Sequence, residues 1–267
     1  MSGIFTLGKV GIRQEKGTWS TASDVWLLAS PVFVRESPFG YTAGGTTGSL
    51  VDRIDYSNDT AIGVVKGPLS KNGQGLAATG NTDFGYVGWG WWQPGPASYD
   101  TNVDRIDYSN DTSTATPKGP LDGPKKYKRS ATGTKHFGYF ASAGPGAFTS
   151  VFRVDYSNDT ATAPAVGSLP SGEHGTAATG NASYGYVGGM WPNLSTVARI
   201  DYSNDSATAL AKGPLSQGRN EHGATGNANF GYFGGGANPS PKLSTVDRID
   251  YSNDTATASA KGPLDRS

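Results

Sequence analysis

A nine-residue phrase, RIDYSNDTA, returns five times in near-copy along this chain of 267 residues, and no other feature limits its possible folds so tightly. Its tyrosine falls at Tyr56, Tyr108, Tyr156, Tyr202 and Tyr251, in steps of 52, 48, 46 and 49 residues. A period near fifty is too long for one hairpin and too short for an independent domain, so it marks an array of like supersecondary units. No unit of that kind buries its apolar face alone; the units must pack on one another. Other landmarks keep the same phase. Phe-Gly-Tyr or Tyr-Gly-Tyr stands at 39–41, 84–86, 137–139, 184–186 and 230–232. Gly-Pro-Leu stands at 67–69, 119–121, 213–215 and 262–264, with Gly167-Ser168-Leu169 as its variant. Ala-Thr-Gly precedes every aromatic triplet but the first. The first unit must therefore take its opening strand from the N-terminal lead, and Val32-Phe33-Val34 is the candidate.

The last copy shows what a unit contains. EHGAT (221–225), Phe230-Gly231-Tyr232-Phe233, STVDRIDY (244–251) and TATASAK (255–261) are short segments separated by Gly, Asn, Asp and Pro. Those are strand lengths with turn chemistry between them. Ser-Asn-Asp reads as a tight hairpin. Four antiparallel strands per unit and five units per chain predict an all-β fold, a five-bladed β-propeller of four-stranded antiparallel blades with 46–52 residues per repeat. The propeller is expected over residues 25–267, with residues 1–24 as a lead or docking arm. Val25-Trp26-Leu27-Leu28 could pair with the last blade or belong to that arm. Inner strands are crowded, which suits small residues; paired aromatics such as Tyr232 and Phe233 should face the two neighbouring blades.

Composition narrows the function classes. Charged residues make up 16% and the net charge is zero, which speaks against a basic surface for nucleic acid or anionic membranes. There is no cysteine, hence no disulfide framework and no thiolate site. No run of eighteen apolar residues predicts a membrane span, and the opening MSGIFTLGKVGIRQ does not read as a secretion signal. His136, His174 and His222 fall at non-equivalent positions of the repeat, so no shared metal site is expected. DYSND lacks the alternating ligands and distal Glu of a calcium loop. The Asn-Asp-Thr and Asn-Asp-Ser triplets match a glycosylation acceptor but read as turns. Glu36, Glu173 and Glu221 are isolated from one another, and no nucleophile–base pattern or phosphate loop emerges. The sequence predicts no catalytic residues, no cofactor, no metal and no enzymatic activity.

Two patterns point to structure and to binding. Arg53, Arg105, Arg153, Arg199 and Arg248 each stand two residues before Asp55, Asp107, Asp155, Asp201 and Asp250. Residues at i and i+2 share one face of a strand, so a ladder of Arg–Asp pairs is expected at blade contacts. The residue before each Arg (Asp52, Asp104, Phe152, Ala198, Asp247) reads as free to vary. In an up-and-down blade the Thr-Gly-Asn and Ser-Asn-Asp turns lie at one end, and these hardly change between copies. The other end differs each time: TTGS (46–49), WGWWQPGPASYDT (89–101), SAGPGAF (142–148), MWPNL (190–194) and ANPSPKL (237–243). Varied loops on rigid strands are the arrangement of a binding scaffold. Trp89, Trp91, Trp92, Tyr99 and Trp191 fall on that variable face, and they are the candidate ligand-binding residues because exposed aromatic faces suit sugar rings or protein hot spots; the alternative is that the tryptophans fold over and plug the disc. The basic stretch Lys125, Lys126, Lys128, Arg129 reads as one loop, either solvated or meeting an anionic glycan.

A strand ending in a glycine pair (Gly234-Gly235), a strand ending Asp-Tyr (Asp250-Tyr251), then Pro-Leu and an Arg (Pro214-Leu215, Arg219) resembles the kelch repeat, across all five units. Ala and Thr replace the Trp usual in its fourth strand. The fuller wording DRIDYSNDTA, KGPLS, ATGN and FGYFGGG resembles repeats in virion proteins of marine bacteriophages. That second resemblance implies a structural virion component (tail fibre, spike or decoration) serving in host attachment. It would meet other virion proteins through residues 1–24 and a host surface glycan or protein through its variable loops, with a homo-oligomer compatible. The alternatives are a five-bladed lectin with one sugar pocket per blade, which requires equivalent pocket residues in every copy, and a purely structural capsid or tail decoration protein.

Overall fold

The computed structural model describes residues 38–265 apart from short stretches at 45–47, 74, 89, 93–97, 100, 124–129, 142–148, 173 and 238–241. Val32–Val34 and the 1–24 arm lie outside the described residues. Among the described residues there are twenty-one strands. Blade 1 contains β1 (Phe39–Ala43), β2 (Val51–Asp55) and β3 (Val64–Val65). Blade 2 contains β4 (Ala77–Gly80), β5 (Phe84–Gly88), β8 (Val103–Asp107) and β9 (Thr116–Lys118), with β6 (Trp91–Trp92) and β7 (Ser98–Tyr99) as an added hairpin. Blade 3 is β10 (Ser130–Gly133), β11 (Phe137–Ala141), β12 (Ser150–Asp155) and β13 (Ala165–Ser168). Blade 4 is β14 (Ala177–Gly180), β15 (Tyr184–Met190), β16 (Leu194–Asp201) and β17 (Leu210–Lys212). Blade 5 is β18 (Gly223–Gly226), β19 (Phe230–Gly234), β20 (Val246–Asp250) and β21 (Ser259–Lys261). All blade pairings are antiparallel, in the same register: Tyr41, Tyr86, Tyr139, Tyr186 and Tyr232 lie opposite Arg53, Arg105, Arg153, Arg199 and Arg248.

Alternation along the second strand sets the packing between blades. In β15, Tyr186 faces forward and stacks on Tyr251 of blade 5, ring centroids 4.7 Å apart. In β19, Phe233 faces backward onto Gly188, where a Cβ would meet its ring at 2.9 Å. Tyr86, Tyr139, Tyr186, Phe140 and Phe233 are almost wholly buried in this way. The innermost strands β4, β10, β14 and β18 pack side by side in that order.

The Ser-Asn-Asp corner is broader than the tight hairpin expected from sequence. Strand β20 ends at Asp250 and β21 begins only at Ser259. Asp250 Oδ1 accepts from the main-chain and side-chain donors of Ser252 at 2.9 and 2.7 Å, starting a single 3-10 turn. Asp55, Asp107, Asp155 and Asp201 accept from the Ser two residues on in the same way, and the 3-10 turn itself recurs after Asp55 and Asp107. At the companion corner Asn81, Asn181 and Asn227 each accept two amide bonds, and Thr134 does the same in blade 3. Antiparallel topology puts these corners at one end of the disc. The β2–β3-type corners and the Trp-bearing segments therefore emerge at opposite ends.

Candidate functional site: inter-blade locks and the loop end of blades 4 and 5

The charged ladder exists, but its partners differ from those the i, i+2 spacing suggests. Arg53, Arg105, Arg153 and Arg199 reach the second Asp of the next blade's corner: Asp111, Asp159, Asp205 and Asp254, at 2.7–2.8 Å. Asp55, Asp107, Asp155, Asp201 and Asp250 cap their own corners instead, because the Ser amide two residues on lies closer than the next blade. Serine hydroxyl and amide bonds hold Asp55 and Asp250 below the usual carboxylate range.

Each lock adds a tyrosine and, in three cases, a lysine. Tyr41, Tyr86, Tyr139 and Tyr186 donate their hydroxyls to the same aspartate oxygen as the arginine, at 2.9–3.0 Å. Lys66, Lys118 and Lys212 take the other oxygen at 3.0–3.1 Å. Blade 3 has Val166 at that position, so the Asp205 lock lacks the third donor. Burial alone would raise Asp159; the Lys118, Tyr86 and Arg105 contacts outweigh it and hold the carboxyl below its ordinary value. The same balance lowers Asp111 and Asp254. Burial, followed by the carboxylate bond, pushes the hydroxyls of Tyr41, Tyr86, Tyr139 and Tyr186 well above the ordinary phenol range.

The residue before each Arg is not free to vary. Asp104 and Asp247 are wholly buried and accept from the main chain and hydroxyl of Ser70 and Ser216 in the preceding link. Where the link carries Asp122 or Pro170, the facing residue is Phe152 or Ala198.

At the loop end, Trp91, Trp92 and Tyr99 sit on the β6–β7 hairpin, in register Trp91↔Tyr99. Trp89 lies outside the described residues. Trp191 stands at the tip of blade 4, on the three-residue turn Trp191-Pro192-Asn193 that closes Met190 onto Leu194. It is 48% exposed, and its ring stacks on His174, 5.7 Å away and 15° from parallel. The sequence singled out the loop-end aromatics together; the structure places Trp191 and the hairpin on blades with blade 3 between them.

Below Trp191 the blade 4–5 seam is stitched by the link QGRNE. Arg219 is fully buried and donates to the carbonyls of Phe233, Gly235 and Thr245, to the Thr245 hydroxyl, and to Asp247 at 3.0 Å. The Asn220 side-chain amide bonds the Asn193 side chain, and its main chain exchanges two bonds with Ala237. Asn193 and Glu221 hold left-handed backbone angles, φ 92° and 53°, an arrangement that recurs at functional surfaces. His222 is buried against Phe233; burial, with Arg219 nearby, pushes its imidazole down to about 3. His136 is at the corner end, far in topology from His174 and His222. Among the described residues no three of His, Asp and Glu gather as metal ligands, and no helix is long and apolar enough to cross a membrane.

Fold and locks together define a five-bladed β-propeller built from near-identical antiparallel blades. No family model matches the chain, and no curated protein matches it. Among solved structures it is similar to one described as "Structure of YjhT", at TM-score 0.70 and 10% identity, over 93% of this chain and 87% of that one. At that identity the likeness concerns the fold.

Proposed function

We propose that the protein is a non-enzymatic recognition module whose loop end binds a surface glycan or protein, with Trp191 as the principal contact on blade 4. One observation carries this reading. Every blade has a corner end fixed by repeated side-chain capping and an opposite end whose loops share neither length nor composition. A propeller that only filled space would have no reason to expose Trp191 on a pre-stacked His174 platform. An aromatic face of that kind suits the apolar face of a sugar ring. The wording of the repeats supports a setting in a phage particle, as a tail fibre, spike or decoration protein attached through residues 1–24. A glycan array probed with the protein and with Trp191→Ala tests the reading. Binding that falls at least tenfold in the variant, with an unchanged melting temperature, is expected; equal binding by both would refute the assignment of Trp191.

A further inference from the structure

The blades are near-copies, so a change confined to one of them can be read against the other four. The outer strand of blade 1 carries such a change. Ile62 takes the place of Thr114, Thr162, Thr208 and Thr257, and Val65 takes the place of Pro117 or of an alanine (Ala165, Ala211, Ala260). Val64 stands where blades 2, 3 and 5 have Thr116, Pro164 and Ser259; blade 4 has a single large apolar residue in this row, Leu210. Ile62, Val64 and Val65 are 63%, 54% and 61% exposed.

The main chain is open on the same side. Lys66 N donates to Val51 O at 2.7 Å, and Val64 lies opposite Arg53. Alternation then turns the N–H and C=O groups of Gly63 and Val65 outward. In the other blades the residue at the Gly63 position (Ala115, Ala163, Ala209 or Ala258) is buried, and its amide donates to the preceding link, to Pro68, Pro120, Ser168 or Pro214 O, at 2.7–2.8 Å. Among the described residues Gly63 meets no link: a Cβ there would touch only Arg53 and Asp52 of its own blade. The last link is not near it either, since a Cβ on Gly262 meets nothing within 4 Å. Blade 2 has Pro117 at the Val65 position, which removes the outward donor; blade 1 keeps that donor on an apolar edge strand, the kind that pairs with another chain.

We propose that this edge is an interface with a second copy of the chain, β3 pairing antiparallel with β3 of the partner about a twofold axis. One register satisfies both copies. Gly63 faces Val65 of the partner subunit and Val65 faces Gly63 of the partner subunit, each pair exchanging two main-chain bonds, so every outward group of the edge is used. Val64 falls on the axis, at a pair without main-chain bonds, where side chains approach most closely. The edge is its own complement in this register, because the larger Val65 meets the small Gly63. A chain with no net charge also sets up no overall repulsion between copies. One such edge per chain, used by both copies alike, makes the contact isologous, and association stops at a dimer. The interface lies on the rim and does not involve Trp191, so it stands apart from the loop-end reading.

The chain has no cysteine, so a single introduced thiol reports the register. In full-length Val64→Cys the two thiols meet across the axis, and mild oxidation should give a disulfide-linked dimer. Ser259→Cys, the same position on blade 5, should stay monomeric. Sedimentation velocity of the wild type should show a dimer that gives way to monomer on dilution. Val65→Pro copies the residue that blade 2 already carries there; it should weaken association by about tenfold or more with an unchanged melting temperature. A wild type that is monomeric at every concentration, species larger than a dimer, a dimer indifferent to Val65→Pro, or cross-linking no greater in Val64→Cys than in Ser259→Cys would each overturn the proposal.

Discussion

Removing one lock carboxylate should cost more where three donors converge than where two do. Asp159 accepts from Tyr86, Arg105 and Lys118, and Asp205 only from Tyr139 and Arg153. In Asp159→Ala the buried Tyr86 hydroxyl loses its acceptor, worth about 1–3 kcal/mol. Two cations lose their counter-charge, and breaking a buried pair costs about 3–5 kcal/mol. The Arg105 side chain is 26% exposed and can turn to water, so the total falls to about 3 kcal/mol. Arg153 is 35% exposed and Asp205 13%, which puts Asp205→Ala near 2 kcal/mol. For a domain of this size each kcal/mol lowers the melting temperature by about 2–4 °C. Guanidinium unfolding at pH 7 reads the difference, with an unchanged m value as the check that both variants unfold over the same surface. If Asp205→Ala cost as much as Asp159→Ala, donor count would not govern the lock. If both cost under about 0.5 kcal/mol, the locks would behave as solvated surface pairs.

Val166→Lys restores the missing donor opposite Asp205 and should stabilise the protein by about 0.5 kcal/mol, read as a shift in denaturation midpoint; a loss of stability would mean the site rejects the charge. Gly213→Ala forces a Cβ to within 1.9 Å of Ala256 O and should destabilise by about 2 kcal/mol or more, whereas Gly223→Ala meets nothing within 4 Å and should stay within about 0.5 kcal/mol of wild type. Acid should act in two windows. The depressed His222 means the unfolded chain binds a proton the folded chain refuses, so stability declines as pH falls from about 6.5 toward about 3. His222→Phe should flatten a stability profile measured between pH 6 and 4. Asp111, Asp159 and Asp254, held low when folded, contribute stability present above the ordinary carboxylate range and lost below about pH 4. A profile in which the wild type gained stability on acidification through pH 5 would contradict the His222 assignment.

The period and the turn residues made the blade topology readable, because each strand is short and bounded by Gly, Asn or Asp. The forward-facing Tyr and backward-facing Phe followed from strand alternation alone. The i, i+2 spacing does not identify the arginine's partner, for a definite reason. Spacing along one strand shows which residues share a face, not which reaches farther, and Asp55 is captured by Ser57 before Arg53 can use it. The extended corner that aims Asp111 at Arg53 is set by the same capture one blade on, of Asp107 by Ser109. The Ser70–Asp104 and Ser216–Asp247 pairing was present as a correlation between a link and the next unit, visible only when copies are compared across their boundary. Arg219 stood in the sequence as the arginine of the kelch-like pattern, with nothing beside it to mark it as buried. Its burial depends on Asp247, Thr245 and three carbonyls that converge only after blade 5 has folded. Trp191 was marked by residue type, but its platform, His174, lies seventeen residues upstream in a different link.

A lock with a donor edge and an acceptor edge is polar, like a hook and an eye, and nearly the same hook and eye recur at the four junctions from blade 1 to blade 5. Units of this chain are therefore close to interchangeable parts. Recombination between copies can duplicate, delete or reorder blades while each new neighbour still finds its carboxylate. The loops travel with the blade that bears them, so one genetic exchange reshuffles the rim and leaves the joinery intact.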